Sequence, residues 1–323
     1  MATTVQEATA VPRDSAQWGL PPDSRAGRVP RDIEVLVPCF DRIPELAVTL
    51  SGLAAQSDTD FDVLLSDQTD RAVAEDAVVA SMIRLLRAQG RQVTLLRNLP
   101  RRGMAQQRQF LLEHSSAPKV LYLDSDVWLE PGTVKALADA LATSGAGFVG
   151  SAVQGLSWLQ DRRPHEWVPL EFWDGQVTPE PAPRSGAAHE RWTLHNAANP
   201  THLAAQLGRP EAGEGKTRAL YRVAWVGGCV MFDRDSLVAA GGFSFWTELP
   251  AAHAGEDVLA QWRVMERDGG AAMLPSGAVH LETPTTVPDR TMEATELLEP
   301  GGTGSPGTGV GDETDGDHGR KPR

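Results

Sequence analysis

The sequence has few cysteines and no long apolar run. Cys39 and Cys229 are the only cysteines among 323 residues, and they lie far apart without metal-ligand spacing. A disulfide framework is therefore not expected, and a reducing compartment is the simpler assumption. No apolar stretch approaches the roughly 18 to 20 residues of a membrane span, and the first thirty residues lack the apolar core of a signal peptide. We therefore expect a cytoplasmic protein without a transmembrane segment.

The chain is also short of positive charge and of familiar phosphate-binding loops. Its 30 Lys and Arg residues against 43 Asp and Glu residues give a formal charge of −13. This charge argues against a nucleic-acid partner, because phosphate backbones bind positive surfaces. No Gly-x-Gly-x-x-Gly motif follows a predicted strand, and no Gly-x-x-x-x-Gly-Lys-Ser/Thr motif occurs. Phosphate groups of a ligand would therefore have to be held by a metal ion.

Residues 31 to 150 show a regular alternation of strand and helix patterns. The predicted strands cover 33–37, 61–65, 93–96, 120–123 and 148–149, and the predicted helices cover 43–53, 72–89, 104–114 and 131–141. We expect Pro38 to end the first strand. Such alternation with short connections implies a mainly parallel sheet with helices on both faces. The predicted fold class is therefore α/β, with an open, mainly parallel sheet.

Acidic residues follow these strands at their carboxyl ends. Asp41 follows the first strand, Asp67 the second, and Asp124 and Asp126 the fourth. Open α/β sheets bind ligands at this edge, and carboxylates suit Mg²⁺ or Mn²⁺. Each acid alone is equally well explained as a helix cap or an Asx turn. Because the acids converge on one edge and Phe40 can lie against a base, the pattern indicates a nucleotide site.

Four motifs resemble, in order and spacing, those of family 2 glycosyltransferases with the GT-A fold. They are Val-Leu-Val-Pro-Cys-Phe-Asp-Arg at 35–42, Ser-Asp-Gln-Thr-Asp at 66–70, Gly103 with Arg108, and Leu-Asp-Ser-Asp at 123–126. Two departures stand out. Ser66 and Gln68 flank a single acid where the family often has two acids before Gly-Ser, and Gln109 replaces the usual Asn.

The resemblance implies a nucleotide-diphosphate-sugar donor and a divalent metal, Mn²⁺ or Mg²⁺. By family analogy Asp41 and Asp67 contact the base or ribose, Asp124 contacts the ribose or sugar, and Asp126 binds the metal that bridges the diphosphate. The other residues that we assign to donor binding are Pro38, Phe40, Arg108, Gly227 and Gly228. Asp124 is also a candidate metal ligand. His280, after a predicted strand, is either a further ligand or a structural histidine.

The second half of the chain contains three short glycine motifs, each of which is a weak signal by itself. Gly227-Gly228 interrupts an apolar stretch and indicates either a strand kink or a close approach by a ligand. Gly241-Gly242-Phe243 follows, and then Gly255-Glu256-Asp257 at the start of a helix, where the acids complement the dipole or do chemistry. This order resembles the acceptor region of family 2 enzymes and a galactosyltransferase-type carboxy-terminal segment. Asp257, with Glu256 beside it, is the predicted catalytic base.

Composition divides the chain into five parts. We predict a flexible arm at 1–30, a nucleotide-sugar-binding half at 31–150, a Trp-rich insertion at 151–218, an acceptor-binding and catalytic half at 219–287, and a disordered tail at 288–323. The tryptophans of the insertion, Trp158, Trp167, Trp173 and Trp192, form either an acceptor-site lid or ordinary core. His189, His195 and His202 show no compact ligand spacing, and we treat them as incidental.

The expected function is therefore transfer of a sugar from a nucleotide-diphosphate donor, with UDP as the first choice, to an acceptor hydroxyl by inverting displacement. The acceptor is a glycan, a lipid-linked glycan or a small molecule, and a lipid acceptor would imply peripheral membrane association. Two alternatives stay open. One is a catalytically silent carbohydrate- or nucleotide-binding protein of the same fold, and the other is a sugar nucleotidyltransferase.

Overall fold

The computed structural model describes residues 31–158, 170–195, 218–287 and 290–299. Within these ranges the strands are β1 (Ile33–Cys39), β2 (Asp62–Asp67), β3 (Val93–Arg97), β4 (Lys119–Leu123), β5 (Val127–Leu129), β6 (Phe148–Gly150), β7 (Gln154–Gly155), β8 (Ala219–Tyr221), β9 (Cys229–Asp233), β10 (Gly270–Leu274) and β11 (Ala278–His280). The helices are α1 (Ile43–Ala54), α2 (Ala77–Ala88), α3 (Met104–Glu113), α4 (Thr133–Ser144), α5 (Gly186–Glu190), α6 (Arg234–Ala239), α7 (Glu256–Asp268) and α8 (Ala294–Leu298). Short 3₁₀ turns lie at Val73–Glu75, Leu156–Trp158, Arg191–His195 and Ser244–Glu248.

The larger sheet has the strand order β3-β2-β1-β4-β9-β6-β10-β8. Strands β3, β2, β1 and β4 are parallel, and so are β6 and β10. Strand β9 is antiparallel to both β4 and β6, and β8 is antiparallel to β10 at the edge. The predicted α/β class with a mainly parallel sheet is confirmed. A second sheet, β5-β11-β7, pairs His280 with Val127 and so brings β11 beside the acidic turn that follows β4.

Alternate residues of the central strands serve two cores. Val35 and Val37 of β1 face one cluster with the apolar sides of α1, α2 and α4, whereas Leu36 faces a second cluster with α3 and α7. This is the period of two expected of a strand buried on both faces. The helices thus cover both faces of the sheet and leave its carboxyl edge open to ligands.

Two predicted element boundaries are wrong. Strand β1 continues through Pro38 to Cys39 instead of ending before Pro38. The Cys39 carbonyl accepts a hydrogen bond from the Gln68 amide on the β2 side, so Pro38, which has no N–H, faces the other side, where pairing with β4 ends at Leu36. The helix predicted over 72–89 is a 3₁₀ turn followed by α2, because the Asp76 carboxylate caps the amides of the first turn of α2.

The segments predicted to be irregular contain packed structure. In the insertion, the amide of Trp173 donates to the carbonyl of Leu220 at the edge strand β8, and Phe172 forms a β-bridge with Tyr221. The tail predicted to be disordered from residue 288 is wrong for residues 290–299, because these include α8, which packs on α7 with Ala294 buried. The predicted arm, residues 300–323, Trp167 and His202 lie outside the described residues.

Candidate active site

Asp124 and Asp126 lie in the turn between β4 and β5, at the carboxyl edge of the sheet. The turn is closed by a hydrogen bond from the Val127 amide to the Asp124 carbonyl (3.2 Å), and the Asp124 amide donates to the carbonyl of Gly228 (2.9 Å). Gly228 has a positive φ of 73°, and a Cβ there would lie 2.9 Å from Val153 and 3.8 Å from Asp124 Oδ2. Gly228 therefore fits closely against the acidic turn, and its positive φ together with the short distance to Val153 accounts for a glycine at this position.

Asp126 is buried and faces two residues from distant parts of the chain. His280 Nε2 lies 3.2 Å from Asp126 Oδ2, and Arg42 forms an ion pair with the same oxygen. The His280 Nδ1 accepts a hydrogen bond from the Glu282 amide (3.0 Å), so Nε2 is the nitrogen that carries the proton in the neutral ring. Burial lowers the pKa of His280, which favours this neutral form.

The donor set at Asp126 fits a divalent metal in part. A carboxylate oxygen and an imidazole nitrogen converge there, a pair that suits Mn²⁺ better than the all-oxygen preference of Mg²⁺. Asp124, the other predicted ligand, directs Oδ1 to Arg108 instead. Among the described residues no group of three or more His, Cys, Asp or Glu is arranged to hold an ion. Asp126 thus supplies one ligand. His280 Nε2 would supply a second only after its proton moves to Nδ1, which would end the hydrogen bond from the Glu282 amide, and substrate oxygens would have to supply the others.

Arg108 connects the acidic turn to the start of α7. Its guanidinium is buried, with Nη2 3.1 Å from Asp124 Oδ1 and Nε 3.1 Å from Glu256 Oε1, although residues 108 and 256 are 148 positions apart. Burial by itself lowers the pKa of Arg108. The negative charges of Asp124 and Glu256 raise this pKa by a larger amount, so the net shift is upward. Tyr122 holds the backbone of this helix by donating its hydroxyl to the Arg108 carbonyl (2.8 Å). The sequence predicts a donor-binding role for Arg108, whereas in the structure its guanidinium forms a buried bridge between Asp124 and Glu256.

The two acids at the start of α7 have different environments. Glu256 is buried and paired with Arg108, whereas Asp257 is partly exposed and accepts a hydrogen bond from the Val258 amide (2.9 Å). Burial, and next the charge of Glu256, raise the pKa of Asp257 to about 7. Burial also raises the pKa of Glu256, opposed by Arg108. A carboxylate with a pKa near neutrality can accept a proton at physiological pH, so Asp257 is the better placed base.

A cavity of about 340 Å³ opens beyond the carboxyl ends of β1 and β2. Its lining includes Phe40 and Asp41, as expected from the sequence, together with Thr69, Asp70 and Arg101. Asp41 is exposed with φ of 53°, a left-handed conformation that Asp tolerates better than most residues. This volume falls within the range of about 300 to 1,000 Å³ common for small-ligand sites.

Asp67 does not line this cavity, and its contacts favour a structural role. It is 2% exposed. One carboxylate oxygen accepts from the amide and hydroxyl of Thr69, and the other accepts from the amide of Val73 and from Arg97. Because all four donors belong to the turn after β2 and to β3, Asp67 fastens that turn and has no free lone pair directed at a ligand. The predicted base or ribose contact therefore lacks support at this position.

Several residues at the site were not found from the sequence. Arg101 lies over the ring of Phe40, with 4.2 Å between the guanidinium carbon and the ring centroid, and forms an ion pair with Asp70. Arg42 pairs with Asp126, 84 positions away, and its Nη2 donates to the Pro284 carbonyl (2.8 Å). The only sequence signal for these arginines is their position beside motif residues, which does not identify a partner.

The predicted lid receives no support from the contacts of Trp173. The indole of Trp173 is half-buried against the core, and the guanidinium of Arg222 lies 3.6 Å from its ring centroid. Together with its backbone pairing to β8, this favours the structural role. The side chains of Trp158 and His195 lie outside the described residues. His189 Nδ1 lies 2.8 Å from the Pro183 carbonyl, a local contact consistent with an incidental histidine.

Comparison with solved structures identifies the fold. TarS 1-349 of S. aureus in complex with UDP-GlcNAc matches with a TM-score of 0.50 and 13% identity, over 79% of this chain and 60% of that one. The mannosyltransferase PcManGT from Pyrobaculum calidifontis, in complex with GDP-Man and Mn²⁺, matches with a TM-score of 0.45 and 16% identity, over 80% of this chain and 59% of that one. The chain thus spans about three fifths of the length of these structures. The predicted GT-A fold is confirmed.

The family follows from the sequence itself. The model of glycosyl transferase family 2 matches residues 34–198, about half of the chain. The protein therefore belongs to the family 2 glycosyltransferases. No curated protein sequence matches the chain. No helix within the described residues is long and apolar enough to cross a bilayer.

Proposed function

We propose that this glycosyltransferase transfers a sugar from a nucleoside-diphosphate donor, with UDP as the expected nucleotide, to an acceptor hydroxyl by metal-assisted inverting displacement. One observation carries the proposal. Arg108 joins the acidic turn, at Asp124, to the start of α7, where Asp257 has a pKa raised to about 7. A candidate site for the diphosphate and a candidate base are thereby held on one edge of the sheet.

The donor side of the proposal rests on the cavity beside β1 and β2. Phe40 and Arg101 offer a stacked aromatic and cationic surface, and Asp41 offers carboxylate oxygens for ribose hydroxyls or a base N–H. The TarS structure of similar fold was solved with UDP-GlcNAc, which supports a nucleotide sugar here. UDP is our first choice because that structure holds a uridine nucleotide.

Asp126 and His280 are the residues that would hold the metal. When bound there, Mn²⁺ or Mg²⁺ offsets the negative charge that develops on the departing diphosphate. Arg42 adds a guanidinium beside Asp126, and guanidinium groups pair well with phosphate oxygens. These groups support a position for the leaving diphosphate beside Asp126.

Asp257 would act as the base on the acceptor side. It takes the proton of the acceptor hydroxyl as that oxygen bonds to the anomeric carbon, while the bond from this carbon to the diphosphate oxygen breaks and the diphosphate leaves with its electron pair. A single displacement of this kind inverts the anomeric centre. It needs one base with suitable proton affinity, which Asp257 provides, whereas Glu256 is engaged by Arg108. Acceptor binding is thus assigned to the half of the chain that begins at residue 219.

The donor assignment is tested by calorimetric titration of UDP, GDP, dTDP and CDP with Mn²⁺ and with a chelator. We expect metal-dependent binding of one nucleotide, UDP, that is lost in Asp126→Asn. Asp235→Asn is the matched control, because Asp235 is exposed on α6, beyond the end of β9 that pairs with the start of β4, away from the site edge. Binding of none of the nucleotides to the wild type would refute the donor site.

The base assignment is tested by the turnover of Asp257→Asn with a sugar donor that carries the nucleotide that the wild type binds. Removing a general base typically lowers the rate about 10² to 10⁴-fold, so kcat should fall by that factor while nucleotide affinity is retained. The anomeric configuration of the product, followed by NMR, should be opposite to that of the donor. Retained turnover in Asp257→Asn, or a product with the donor's configuration, would contradict the mechanism.

A further inference from the structure

The segment 290–299 returns to the loop that leads into α7. The amide of Ala254 donates to the Met292 carbonyl (3.0 Å), and the amide of Ala294 donates to the Ala254 carbonyl (2.8 Å). This pairing places Glu293 beside Gly255, one residue before Glu256 and two before Asp257. The backbone of the proposed catalytic residues is therefore joined to a segment beyond the 34–198 family match.

The Glu293 carboxylate packs directly on Gly255. A Cβ at Gly255 would lie 2.3 Å from Glu293 Oε2, so the absence of a side chain at 255 is what makes room for this carboxylate. Glu293 occupies the N-cap position of α8, yet its side chain makes no capping hydrogen bond. Among the described residues no hydrogen-bond donor to its carboxylate is found. The carboxylate thus lies against Gly255 without capping α8, the role that an acid at an N-cap commonly has.

Glu293 and Asp257 are electrostatically close. Burial raises the pKa of Glu293, and the charge of Asp257 raises it further, while Arg290 acts in the opposite direction and Glu296 in the same one. Arg108, whose charge lowers the pKa of Asp257, is already shared between Asp124 and Glu256. Two acids, Asp257 and Glu293, therefore lie near each other at the start of α7, and the pKa of each is raised.

We propose that Glu293 is an acceptor-binding residue, which accepts a hydrogen bond from a second O–H or N–H group of the acceptor and disfavours acceptors that carry a negative charge beside the reacting hydroxyl. The inference rests on the proposed function, because it takes Asp257 as the base that marks the acceptor position. The acceptor class that fits is a neutral or amino-bearing polyhydroxyl compound, such as a sugar unit of a glycan. An acidic sugar or a phosphate-bearing alcohol would meet two like charges.

The test uses two aryl glycosides as acceptor probes with the full-length protein, Mn²⁺ and the donor found by calorimetry. The probes are p-nitrophenyl glucoside, which is neutral, and p-nitrophenyl glucuronide, which differs in carrying a carboxylate. We expect the wild type to favour the glucoside in kcat/KM by about 10-fold or more, the size expected for an unscreened like-charge contact. Glu293→Gln keeps the shape and an accepting oxygen but removes the charge, so this preference should shrink by at least about 3-fold.

A second variant tests the hydrogen bond. Glu293→Ala removes the carboxylate oxygens that would accept the hydrogen bond. It should raise the KM for the glucoside about 10-fold to 100-fold, as expected for loss of a hydrogen bond to a charged group, with a smaller change in kcat. Asp235→Asn is again the control, since Asp235 is an exposed acid on α6, away from the site edge, and it should change neither quantity. If Glu293→Ala does not fold, as judged by thermal melting, Glu293→Gln carries the test alone.

The outcomes separate this inference from the proposed function. Unchanged discrimination in Glu293→Gln, a wild-type preference for the glucuronide, or no transfer to either glycoside while the donor is hydrolysed would overturn the role of Glu293. Each of these can occur with UDP binding and the Asp257→Asn defect intact, and then the proposed function stands. Loss of metal-dependent nucleotide binding from the wild type refutes the proposed function instead.

Discussion

Gly103, at the start of α3, couples the packing of this helix to the loop that carries the proposed base. Its φ of 95° and ψ of 171° lie in a region that is almost restricted to glycine. A Cβ at this position would lie 2.5 Å from His253 Cε1 and 2.6 Å from the Ala251 carbonyl oxygen. Because residues 251 and 253 lead directly to Gly255 and α7, Gly103→Ala should disturb both stability and the site.

The structure gives the magnitude and a control. The strained backbone costs about 1 to 3 kcal/mol, and forcing a methyl group into packed atoms adds about 1 to 3 kcal/mol, so Gly103→Ala should lower the free energy of unfolding by about 2 to 6 kcal/mol. Gly175 has a nearly identical φ of 94°, but no described atom lies within 4 Å of its Cβ position. Gly175→Ala should therefore cost only the backbone strain, about 1 to 3 kcal/mol.

Thermal melting and steady-state kinetics check both variants. At about 2 to 4 °C per kcal/mol, Gly103→Ala should lower the Tm by at least about 4 °C, and by more than Gly175→Ala does. Its kcat should also fall below that of the wild type at a temperature where both are folded, whereas Gly175→Ala should keep wild-type kcat. Equal Tm shifts with unchanged kcat in both variants would show that the loop around His253 does not depend on Gly103.

Two further predictions concern pH and helix capping. His253 accepts a hydrogen bond from the amide at the start of α3 and lies 2.7 Å from the Pro250 carbonyl, which fixes its neutral form. Burial lowers its folded-state pKa below the ordinary 6.5, so the unfolded chain takes up a proton that the folded chain resists, and stability should fall as the pH drops below about 6.5. Melting curves from pH 8 to pH 5 should show a smaller decline in His253→Gln than in the wild type, and parallel curves would contradict this. The Asp233 side chain caps α6 by accepting a hydrogen bond from the Ser236 amide (2.8 Å), at the end of the sheet opposite the site. Asp233→Ala should lower the free energy of unfolding, measured by chemical denaturation, by about 0.5 to 2 kcal/mol and leave nucleotide affinity unchanged. A loss of nucleotide affinity would argue against this location of the site.

Local sequence patterns determined the fold well where the periodicity was clear. The alternation of strands and helices over residues 31–150 yielded the parallel half of the sheet, because a strand buried on both faces and a helix with one apolar face leave distinct periods. The antiparallel insertion of β9 between β4 and β6 was not predicted, since the order of strands in a sheet depends on pairing between distant segments. The packing of α8 was also missed. Its five residues are too short for a periodic signal and lie in a segment of low apolar content.

The sequence by itself determined which acids stand at the open edge of the sheet, because the end of a buried strand is visible as the point where an apolar run stops. It placed Asp41, Asp124 and Asp126 there together with Asp67. Only the tertiary structure decided what each acid contacts. Asp67 accepts hydrogen bonds from four local donors, Asp126 contacts His280, and Glu293 packs on Gly255 at the start of α7. These partners come from segments far apart in the chain, and the direction and burial of a side chain depend on all the elements packed around it.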